Sequence, residues 1–316
     1  MPKVVIETNE LMKRYKNRVI ALQNLNLKIE KGDCVGYLGP NGAGKTTTMK
    51  ILTNLIRPTS GHAYICGIDV NKRPKEALRC VGALVEIPGI YEYLTPHEML
   101  TYLGRVRRMG KTNLNRRIKE VLKTVGIPAW EYKKVSSFST GMRRRLTIAQ
   151  ALLHNPEILI MDEPVLGLDP KGMKNIRDII KQFHNDNKTV FLSSHLLHEV
   201  SETCTKVLLL DKGKVISFDT VDNLRKMSKI KTINVELLKP LTKKQITEIK
   251  AIKLIEDIDI VNGHLRINFS GKQDICSQIL IKLVSLGLEI VSYQPQNMTL
   301  EDIYVSTIAG EERGVE

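Results

Sequence analysis

Short apolar runs recur through the first two thirds of the chain, and stretches with helical spacing lie between several of them. Runs this short and continuous are typical of strands buried on both faces of a parallel sheet. The predicted buried strands lie at 34–38, 81–85, 158–161, 189–195 and 206–210. Helical spacing is clearest at Leu114, Ile118, Val121, Leu122 and Val125. Together these elements predict the α/β fold class.

Two regions of this part of the chain follow other patterns. Residues 3–9 and 23–30 are predicted as strands, and the alternation of apolar and polar side chains at 25–30 indicates a half-buried antiparallel strand. The region at about 88–155 is predicted as helices, one of which begins at Thr95, a residue type favoured at helix N-termini. We therefore expect an antiparallel β subdomain and a helical subdomain beside the central sheet.

The last part of the chain, residues 226–316, is predicted as a second domain that follows a first domain at 1–225. Its elements are expected in the order strand, helix, strand, strand, helix, strand. Asn262-Gly263, between the second and third of these strands, is a strong hairpin signal. This order predicts a small α+β domain of the ferredoxin-like type.

The segment after the strand at 34–38 matches the phosphate-binding pattern G-x-x-x-x-G-K-[ST] at every fixed position. Glycines let backbone N–H groups surround phosphate oxygens, and the following helix N-terminus adds partial positive charge. Lys45 can reach the β- and γ-phosphates, and the Thr46 hydroxyl can ligate Mg²⁺. The predicted nucleotide-binding residues are Gly39, Pro40, Asn41, Gly42, Ala43, Gly44, Lys45, Thr46 and Thr47.

Two adjacent acids, Asp162 and Glu163, follow the apolar strand at 158–161. Unpaired charges on a buried strand are costly, and α/β sheets place their sites at the carboxyl ends of strands. A functional role is therefore favoured. Asp162 is predicted to hold Mg²⁺, directly or through water, and Glu163 to polarise the attacking water.

Several further residues are candidates because of where they stand along the chain. His195 follows a buried strand and could donate a hydrogen bond to a γ-phosphate, although an isolated histidine is usually structural. Tyr15 precedes the phosphate loop and could stack on adenine, with an ordinary surface tyrosine as the alternative. Ser139 and Thr140 could cap a helix whose first turn binds an anion. The three arginines at 143–145 are interpreted as a solvated helix face.

The composition of the chain bears on its partners and cellular compartment rather than on its catalytic chemistry. The 316 residues have a formal net charge of +14, which suits an anionic partner such as nucleic acid, a membrane surface or a nucleotide, or simply a solvated basic surface. The five cysteines are scattered, so neither a zinc site nor a disulfide framework is predicted, and reduced thiols in a cytoplasmic protein fit best. We expect no signal peptide and no membrane-spanning segment.

Taken together, these motifs resemble the ATP-binding subunits of ABC transporters over roughly residues 3–225. They follow the family's order: Tyr15 at the adenine-stacking position, Gly39–Thr47 as Walker A, Glu86 at the Q-loop, Ser139-Thr140-Gly141-Met142 as the signature, Ile158–Glu163 as Walker B, Gly167-Leu168-Asp169 as the D-loop and His195 as the switch histidine. The resemblance implies an ATPase that uses Mg²⁺ and a head-to-tail dimer. ATP would then lie between Walker A of one copy and Ser139 and Gly141 of the other.

Three departures from the family pattern indicate which branch of the family the chain resembles. Glu86 replaces the usual Gln, and its carboxylate could still ligate Mg²⁺. The signature reads Phe138-Ser-Thr-Gly-Met142, and Val165-Leu166 stands where Ser, Thr or Asn is common before the D-loop. The first two departures are most similar to the antibiotic-resistance and lantibiotic-immunity exporter branch. Lys45, Glu163 and His195, the catalytic residues that the resemblance implies, are all present, as is Asp162, so active hydrolysis is expected.

The resemblance also implies partners and a location. An integral-membrane permease would hold the chain at the cytoplasmic face of the membrane, its coupling helix would enter a groove beside the helical subdomain, and export of an antibiotic, peptide or other amphipathic compound is expected. Thr299–Tyr304 resembles a terminal helix of such subunits. The alternatives are a soluble ABC ATPase that acts on nucleic acid or ribosomes, and a sensor that binds ATP without hydrolysis. Nucleic acid is not expected as a partner, since basic residues with interleaved aromatics are missing.

Overall fold

The structure is a computed structural model that describes residues 3–16, 19–86, 89–223, 230–261, 264–270 and 274–297. The chain divides into two compact units, Met1–Thr220 and Val221–Glu316. The predicted domain boundary between residues 225 and 226 stays a prediction. The predicted Asn262-Gly263 turn and the Thr299–Tyr304 helix lie outside the described residues.

The first unit contains ten strands and seven α-helices among its described residues. The strands are β1 (Val4–Arg14), β2 (Ile20–Glu30), β3 (Cys34–Leu38), β4 (Ser60–Ile65), β5 (Ile68–Asp69), β6 (Val81–Leu84), β7 (Ile158–Met161), β8 (Thr189–Ser194), β9 (Lys206–Asp211) and β10 (Lys214–Thr220). The helices are α1 (Lys45–Leu52), α2 (Pro74–Ala77), α3 (Pro96–Val106), α4 (Lys111–Thr124), α5 (Thr140–Leu152), α6 (Pro170–Asn185) and α7 (Leu197–Thr203).

A six-stranded sheet with the order β10-β9-β3-β8-β7-β6 carries the candidate site. The strands β9, β3, β8, β7 and β6 pair in parallel, and β10 is antiparallel to its neighbour β9. Every residue of β3, β7 and β8 is buried, as their continuous apolar runs predict. The α/β fold class is confirmed.

A second, antiparallel sheet with the order β2-β1-β4-β5 shares one hydrophobic core with the central sheet and α1. Tyr37 and Phe191 stack in this core with ring centroids 5.2 Å apart. The predicted strand at 3–9 extends to Arg14, because a bulge with Glu10 in the left-handed region (φ 47) shifts the register and keeps Leu11 fully buried.

The predicted helical region contains α3, α4 and α5. Thr95 caps α3 in a complete capping box: its hydroxyl accepts from the Glu98 backbone N–H, and the Glu98 carboxylate accepts from the Thr95 N–H at 2.8 Å. Leu114, Ile118, Val121 and Leu122 form the buried face of α4, as their spacing predicts. This packing fixes α5, whose first residues follow the signature Ser139.

The second unit has the predicted order of elements. They are β11 (Ile230–Leu237), α8 (Lys243–Lys250), β12 (Asp257–Val261), β13 (His264–Ser270), α9 (Asp274–Ser285) and β14 (Ile290–Asn297). The strands form an antiparallel sheet in the order β12-β13-β11-β14, with its own buried core that includes Ile233, Ile267 and Phe269. The ferredoxin-like assignment stays a prediction.

Candidate nucleotide-binding site

Three adjacent strands of the central sheet end at the predicted site. β3 pairs with β8, and β8 pairs with β7, all in parallel. The phosphate loop follows β3, Asp162 and Glu163 follow β7, and His195 follows β8. Because parallel strands end at the same edge of a sheet, segments more than a hundred residues apart in sequence are brought together, at the kind of edge where open α/β sheets bind ligands.

The phosphate loop requires glycine at two positions for different reasons. A Cβ at Gly39 would collide with the Leu210 carbonyl oxygen, because the loop runs against the end of β9. Gly44 has φ 113, in the left-handed region, and a Cβ there would collide with the Ala21 carbonyl oxygen. The loop is therefore held tightly against its surroundings in a shape that larger residues cannot adopt.

The N-terminus of α1 is open to an anion. Its N-cap is Gly44, which has no side chain to accept a hydrogen bond, and no acidic residue occupies the first turn. The first N–H groups of a helix have no partner within the helix, and they carry the positive end of its dipole. This donor set fits the phosphates of a nucleotide.

Lys45 is almost fully buried, at 6% exposure, beneath the phosphate loop. Its Nζ donates to the carbonyl oxygens of Gly39 at 2.6 Å and Pro40 at 3.1 Å. Burial lowers the pKa of Lys45, and the nearby charges of Glu163 and Asp162 offset part of that decrease. The cation is thus held in the loop, beside the two predicted Walker B acids.

The turn formed by Asp162 and Glu163 is fixed by Ser193, a buried residue near the end of β8. The Ser193 hydroxyl donates to Asp162 Oδ1 and accepts from the Glu163 backbone N–H, the latter at 2.9 Å. The sequence prediction did not single out Ser193. The available signal was a polar side chain near the end of a fully buried strand, two residues before the candidate histidine.

His195 and Glu163 are in direct contact. His195 Nδ1 lies 2.9 Å from Glu163 Oε2, and both side chains remain partly open to solvent. The structure therefore joins the two residues predicted to act on the γ-phosphate and on its attacking water. It brings them together from segments at the ends of β7 and β8.

Tyr15 lies beside the phosphate loop, as its predicted role requires. Its hydroxyl is 3.3 Å from the Thr47 hydroxyl, and its ring is 39% exposed. Lys13 Nζ lies 5.3 Å from the ring centroid. The ring therefore has an accessible position from which it could cover a base bound next to the loop.

We expect Tyr15→Ala to raise the KM for ATP by about 5- to 30-fold, in the lower range of base–aromatic stacking losses. Tyr15→Phe loses the hydrogen bond to Thr47 but keeps the ring, so its KM should stay within about 2-fold. The measurement is steady-state ATP hydrolysis. Tyr132→Ala is the matched control, since Tyr132 is an exposed tyrosine of the helical region that stacks on His97. Equal KM values for Tyr15→Ala and the wild type would remove Tyr15 from the site.

The signature residues occupy a different place. Ser139 is the N-cap of α5 and accepts from the Met142 N–H at 3.3 Å, and Gly141 lies in the first turn. The structure describes no hydrogen bond between these two residues and the phosphate loop of the same chain. Their contact with nucleotide stays a prediction of the head-to-tail arrangement that the resemblance implies.

The interpretation of residues 143–145 as a solvated helix face is wrong for Arg144, whereas Arg143 forms a surface ion pair. Arg143 pairs with Glu92 and donates to the Phe138 carbonyl at 3.2 Å. Arg144 reaches the Walker B turn: its Nε donates to the Pro164 carbonyl at 2.8 Å, and its Nη2 contacts the backbone carbonyls of Asp162 and Glu163. α5 packs against β6, the neighbour of β7 in the sheet, and this brings Arg144 to the turn after β7, which the spacing of the arginines did not indicate.

Glu86, the predicted metal ligand of the Q-loop, has a protein partner in the structure. Its carboxylate forms an ion pair with Lys50 of α1, and its backbone has φ 64. The described residues contain no group of three or more His, Cys, Asp or Glu that could hold a metal ion. A Mg²⁺ ion at this edge would therefore need phosphate oxygens as additional ligands, which is how proteins usually bind it.

The sheet edge, the phosphate loop and the acid pair define a P-loop ATPase. The ABC transporter family matches residues 22–166. The chain is also 36% identical to the bacitracin transport ATP-binding protein BcrA of Bacillus licheniformis, over 97% of this chain and 98% of that protein. It therefore belongs to the ABC transporter family, as an ATP-binding subunit that hydrolyses ATP.

Two further comparisons agree with this assignment. The linearmycin resistance ATP-binding protein LnrL of Bacillus subtilis is 28% identical over 96% of this chain and 97% of its own length. A solved dimeric ATP-binding cassette in a post-hydrolysis state, bound to ADP and Pi, superposes with a TM-score of 0.62 and 27% identity, over 68% of this chain and 98% of that one. Within the described residues, no helix has the length and apolar character needed to cross a membrane.

Proposed function

We propose that this subunit powers a separate integral-membrane permease at the cytoplasmic face of the membrane and that the complex exports an antibiotic, a peptide or another amphipathic compound. One observation carries the hydrolysis on which the proposal depends: the phosphate loop, the Asp162–Glu163 turn and His195 meet at one sheet edge. The bacitracin and linearmycin names of relatives that cover nearly the whole chain support the substrate class.

In the proposed hydrolysis, the role of each site residue follows from its position relative to the phosphate loop. The first-turn N–H groups of α1 and the Lys45 ammonium bind the β- and γ-phosphates. Glu163 accepts a proton from the attacking water, and His195, held against Glu163, donates a hydrogen bond to the γ-phosphate. Tyr15 covers the adenine.

The donor set also fits Mg²⁺. The Thr46 hydroxyl, in the first turn of α1, and the Asp162 carboxylate, just after β7, are hard oxygen ligands, and Ser193 fixes the orientation of Asp162. A bound Mg²⁺ would offset the charge of the β- and γ-phosphates. Glu86 would join this set only after exchanging Lys50 for the ion.

A second copy of the domain would complete each site. Ser139 and Gly141 stand at the accessible start of α5, and Asp169 caps the neighbouring α6 by accepting from the Gly172 N–H at 3.1 Å. In the proposed head-to-tail homodimer, the start of α5 of one copy faces the γ-phosphate bound by the other. ATP binding would close the dimer and hydrolysis would open it.

A groove of about 310 Å³ beside the helical region is the proposed docking site for the permease. Its walls are largely apolar and include Leu78, Val85 and Leu103. Arg107 also lines it, has no acidic partner among the residues the structure describes, and has its pKa lowered by desolvation. An apolar groove with an unpaired cation fits a cytoplasmic helix of the permease that has an acidic side chain.

We expect Arg107→Glu to reduce recovery of the permease at least about 10-fold, since like charges across an interface cost several kcal/mol. The measurement is a gentle-detergent pull-down of the tagged chain from its native cells, with partners identified by mass spectrometry. Arg116→Glu is the control, because Arg116 is an exposed arginine of α4 that pairs with Glu120. Cells that depend on the complex should also lose resistance to its peptide antibiotic.

Recovery of a multi-spanning membrane protein at comparable stoichiometry supports the proposal and identifies the permease for substrate tests. Recovery of ribosomes or nucleic acid without any membrane protein would contradict it, while leaving the ATPase assignment intact. Equal recovery of the permease by the Arg107→Glu and wild-type chains would move the docking site away from this groove.

A further inference from the structure

Arg144 connects the helix that begins at the signature loop with the turn that carries Glu163, the proposed general base. It lies in the second turn of α5, and its guanidinium donates to backbone carbonyls of Pro164, Glu163 and Asp162. The planar guanidinium presents several N–H groups in a fixed geometry, so one side chain can bind successive carbonyls of a turn. No other described side chain donates to these three carbonyls.

The turn that Arg144 binds has an uncommon backbone conformation. Glu163 has φ 46, in the left-handed region that residues other than glycine rarely adopt. Such conformations persist only where the surroundings hold them, and they are concentrated at functional sites. Ser193 holds the N–H of Glu163, and Arg144 holds its C=O, so the peptide groups on both sides of the residue are fixed.

We propose that Arg144 is a positioning residue for hydrolysis, which holds the Glu163 backbone in the conformation that directs its carboxylate toward His195 and the attacking water. The inference rests on the role given to Glu163 under the proposed function. The described hydrogen bonds of the Arg144 guanidinium all go to backbone carbonyls of the turn. It acts through the turn, and it makes the orientation of Glu163 depend on the position of α5.

The placement also connects two parts of the ATP cycle. Ser139 and Gly141 stand at the start of the same helix, which in the proposed dimer meets the nucleotide bound by the partner. A shift of α5 on nucleotide contact would therefore move Arg144 and its hydrogen bonds to the carbonyls of the Glu163 turn in the same chain. Arg144 is the side chain through which that movement reaches Glu163.

A chemically matched control is Arg117 of α4, which binds the C-terminal end of α5. Arg117 also donates to backbone carbonyls, those of Leu152 at 2.8 Å and Leu153 at 3.1 Å, and pairs with Glu120. Its side chain is 19% exposed, so it is a partly buried, carbonyl-binding arginine like Arg144. It differs in being far along the sequence from the Walker B turn and bound to the C-terminal end of the helix.

The experiment compares ATP hydrolysis by the full chain with Arg144→Met, Arg144→Lys and Arg117→Met. We expect Arg144→Met to lower kcat by about 10- to 100-fold, since a small misplacement of a catalytic group can cost that much. The KM for ATP and the Kd for a non-hydrolysable ATP analogue should stay within about 3-fold, because the phosphate loop is untouched. Arg144→Lys should recover part of kcat, and Arg117→Met should keep the wild-type kcat.

A double-mutant cycle with Ser193→Ala tests whether both residues act on the same turn. If they do, the loss of kcat in the double variant should be clearly smaller than the product of the two single losses. Thermal melting with and without the ATP analogue shows whether each variant is folded and binds nucleotide. Should Arg144→Met fail to fold, the Arg144→Lys variant carries the test, and its kcat should still be lowered at unchanged KM.

Three results would overturn the inference: a wild-type kcat in the folded Arg144 variants, an equal loss of kcat in Arg117→Met, or a loss of nucleotide affinity that accounts for the whole effect. Glu163→Gln, measured in parallel, distinguishes a failure of the Arg144 inference from a failure of the proposed role of Glu163. If Glu163→Gln keeps full activity, the proposed role of Glu163 fails. If Glu163→Gln is inactive and Arg144→Met is not, only the role of Arg144 fails.

Discussion

Glu163→Gln is expected to lower kcat for ATP hydrolysis by about 10²- to 10⁴-fold, the usual contribution of a general base. The amide keeps the size of the side chain and can still bond to His195, whose Nδ1 lies 2.9 Å from Glu163 Oε2 in the wild type. It has no basic oxygen for the proton of the attacking water. Because Glu163 is not part of the phosphate loop, ATP affinity should change by less than about 3-fold, provided the turn keeps its shape.

Single-turnover hydrolysis and equilibrium binding of ATP are the two measurements. Glu157→Gln is the control, since Glu157 is an exposed carboxylate at the opposite end of the same strand and lies 4.0 Å from Lys31. It should hydrolyse ATP like the wild type. Equal rates for Glu163→Gln and the wild type would rule out Glu163 as the base and would favour a different proton acceptor.

Lys45→Met is expected to lower kcat/KM for ATP by about 10²- to 10³-fold, comparable with the loss of one preorganised donor to a transition-state charge. The ammonium is buried and already desolvated, and its present partners are the carbonyls of Gly39 and Pro40. Phosphate oxygens would replace these carbonyls with charged acceptors, which form stronger hydrogen bonds. Methionine fills similar space without a donor.

Melting in the presence of ATP provides a second readout for Lys45. Ligand at 100 times its Kd adds about 2.7 kcal/mol of stability, which corresponds to a rise in Tm of roughly 5–10 °C for a domain of this size. The wild type should show this rise, and Lys45→Met should not. Lys188→Met is the control, because Lys188 is also a carbonyl-binding lysine, bonded to Pro156 at 2.9 Å, and precedes β8 at the opposite sheet edge. A full ATP-induced rise in Lys45→Met would contradict the assigned role.

The positions of the phosphate loop, the acid pair and the histidine could be predicted because each lies at the end of an apolar run that predicts a buried strand. Their roles stay predictions. A glycine-rich turn after an apolar strand constrains the local backbone, and the structure has that turn between β3 and α1. The same holds for the capped start of α3 and the buried face of α4, where a cap residue and a period of about 3.6 residues carry the information.

Arg144, Ser193 and Lys50 could not be assigned in this way. Each meets its partner across the fold: Arg144 binds the turn after β7, Ser193 binds the same turn from β8, and Lys50 pairs with Glu86. The charge of three successive arginines suggested a solvated face, since neither spacing nor composition shows which side of a helix will pack against a strand end. The bulge at Glu10 was missed for the same reason, because it serves the pairing of β1 with its neighbours.

The sequence by itself determined the α/β class, the phosphate loop, the acid pair and the ABC family, because these depend on residue types at short, fixed spacings. Only the tertiary structure decided how the Glu163 turn is held, which cation Glu86 contacts, and which of the three successive arginines reaches that turn. Those features depend on the parallel order of β3, β8 and β7 and on the packing of α5 against β6, the strand beside β7. Such long-range packing is a property of the whole folded core and is not encoded in any single segment.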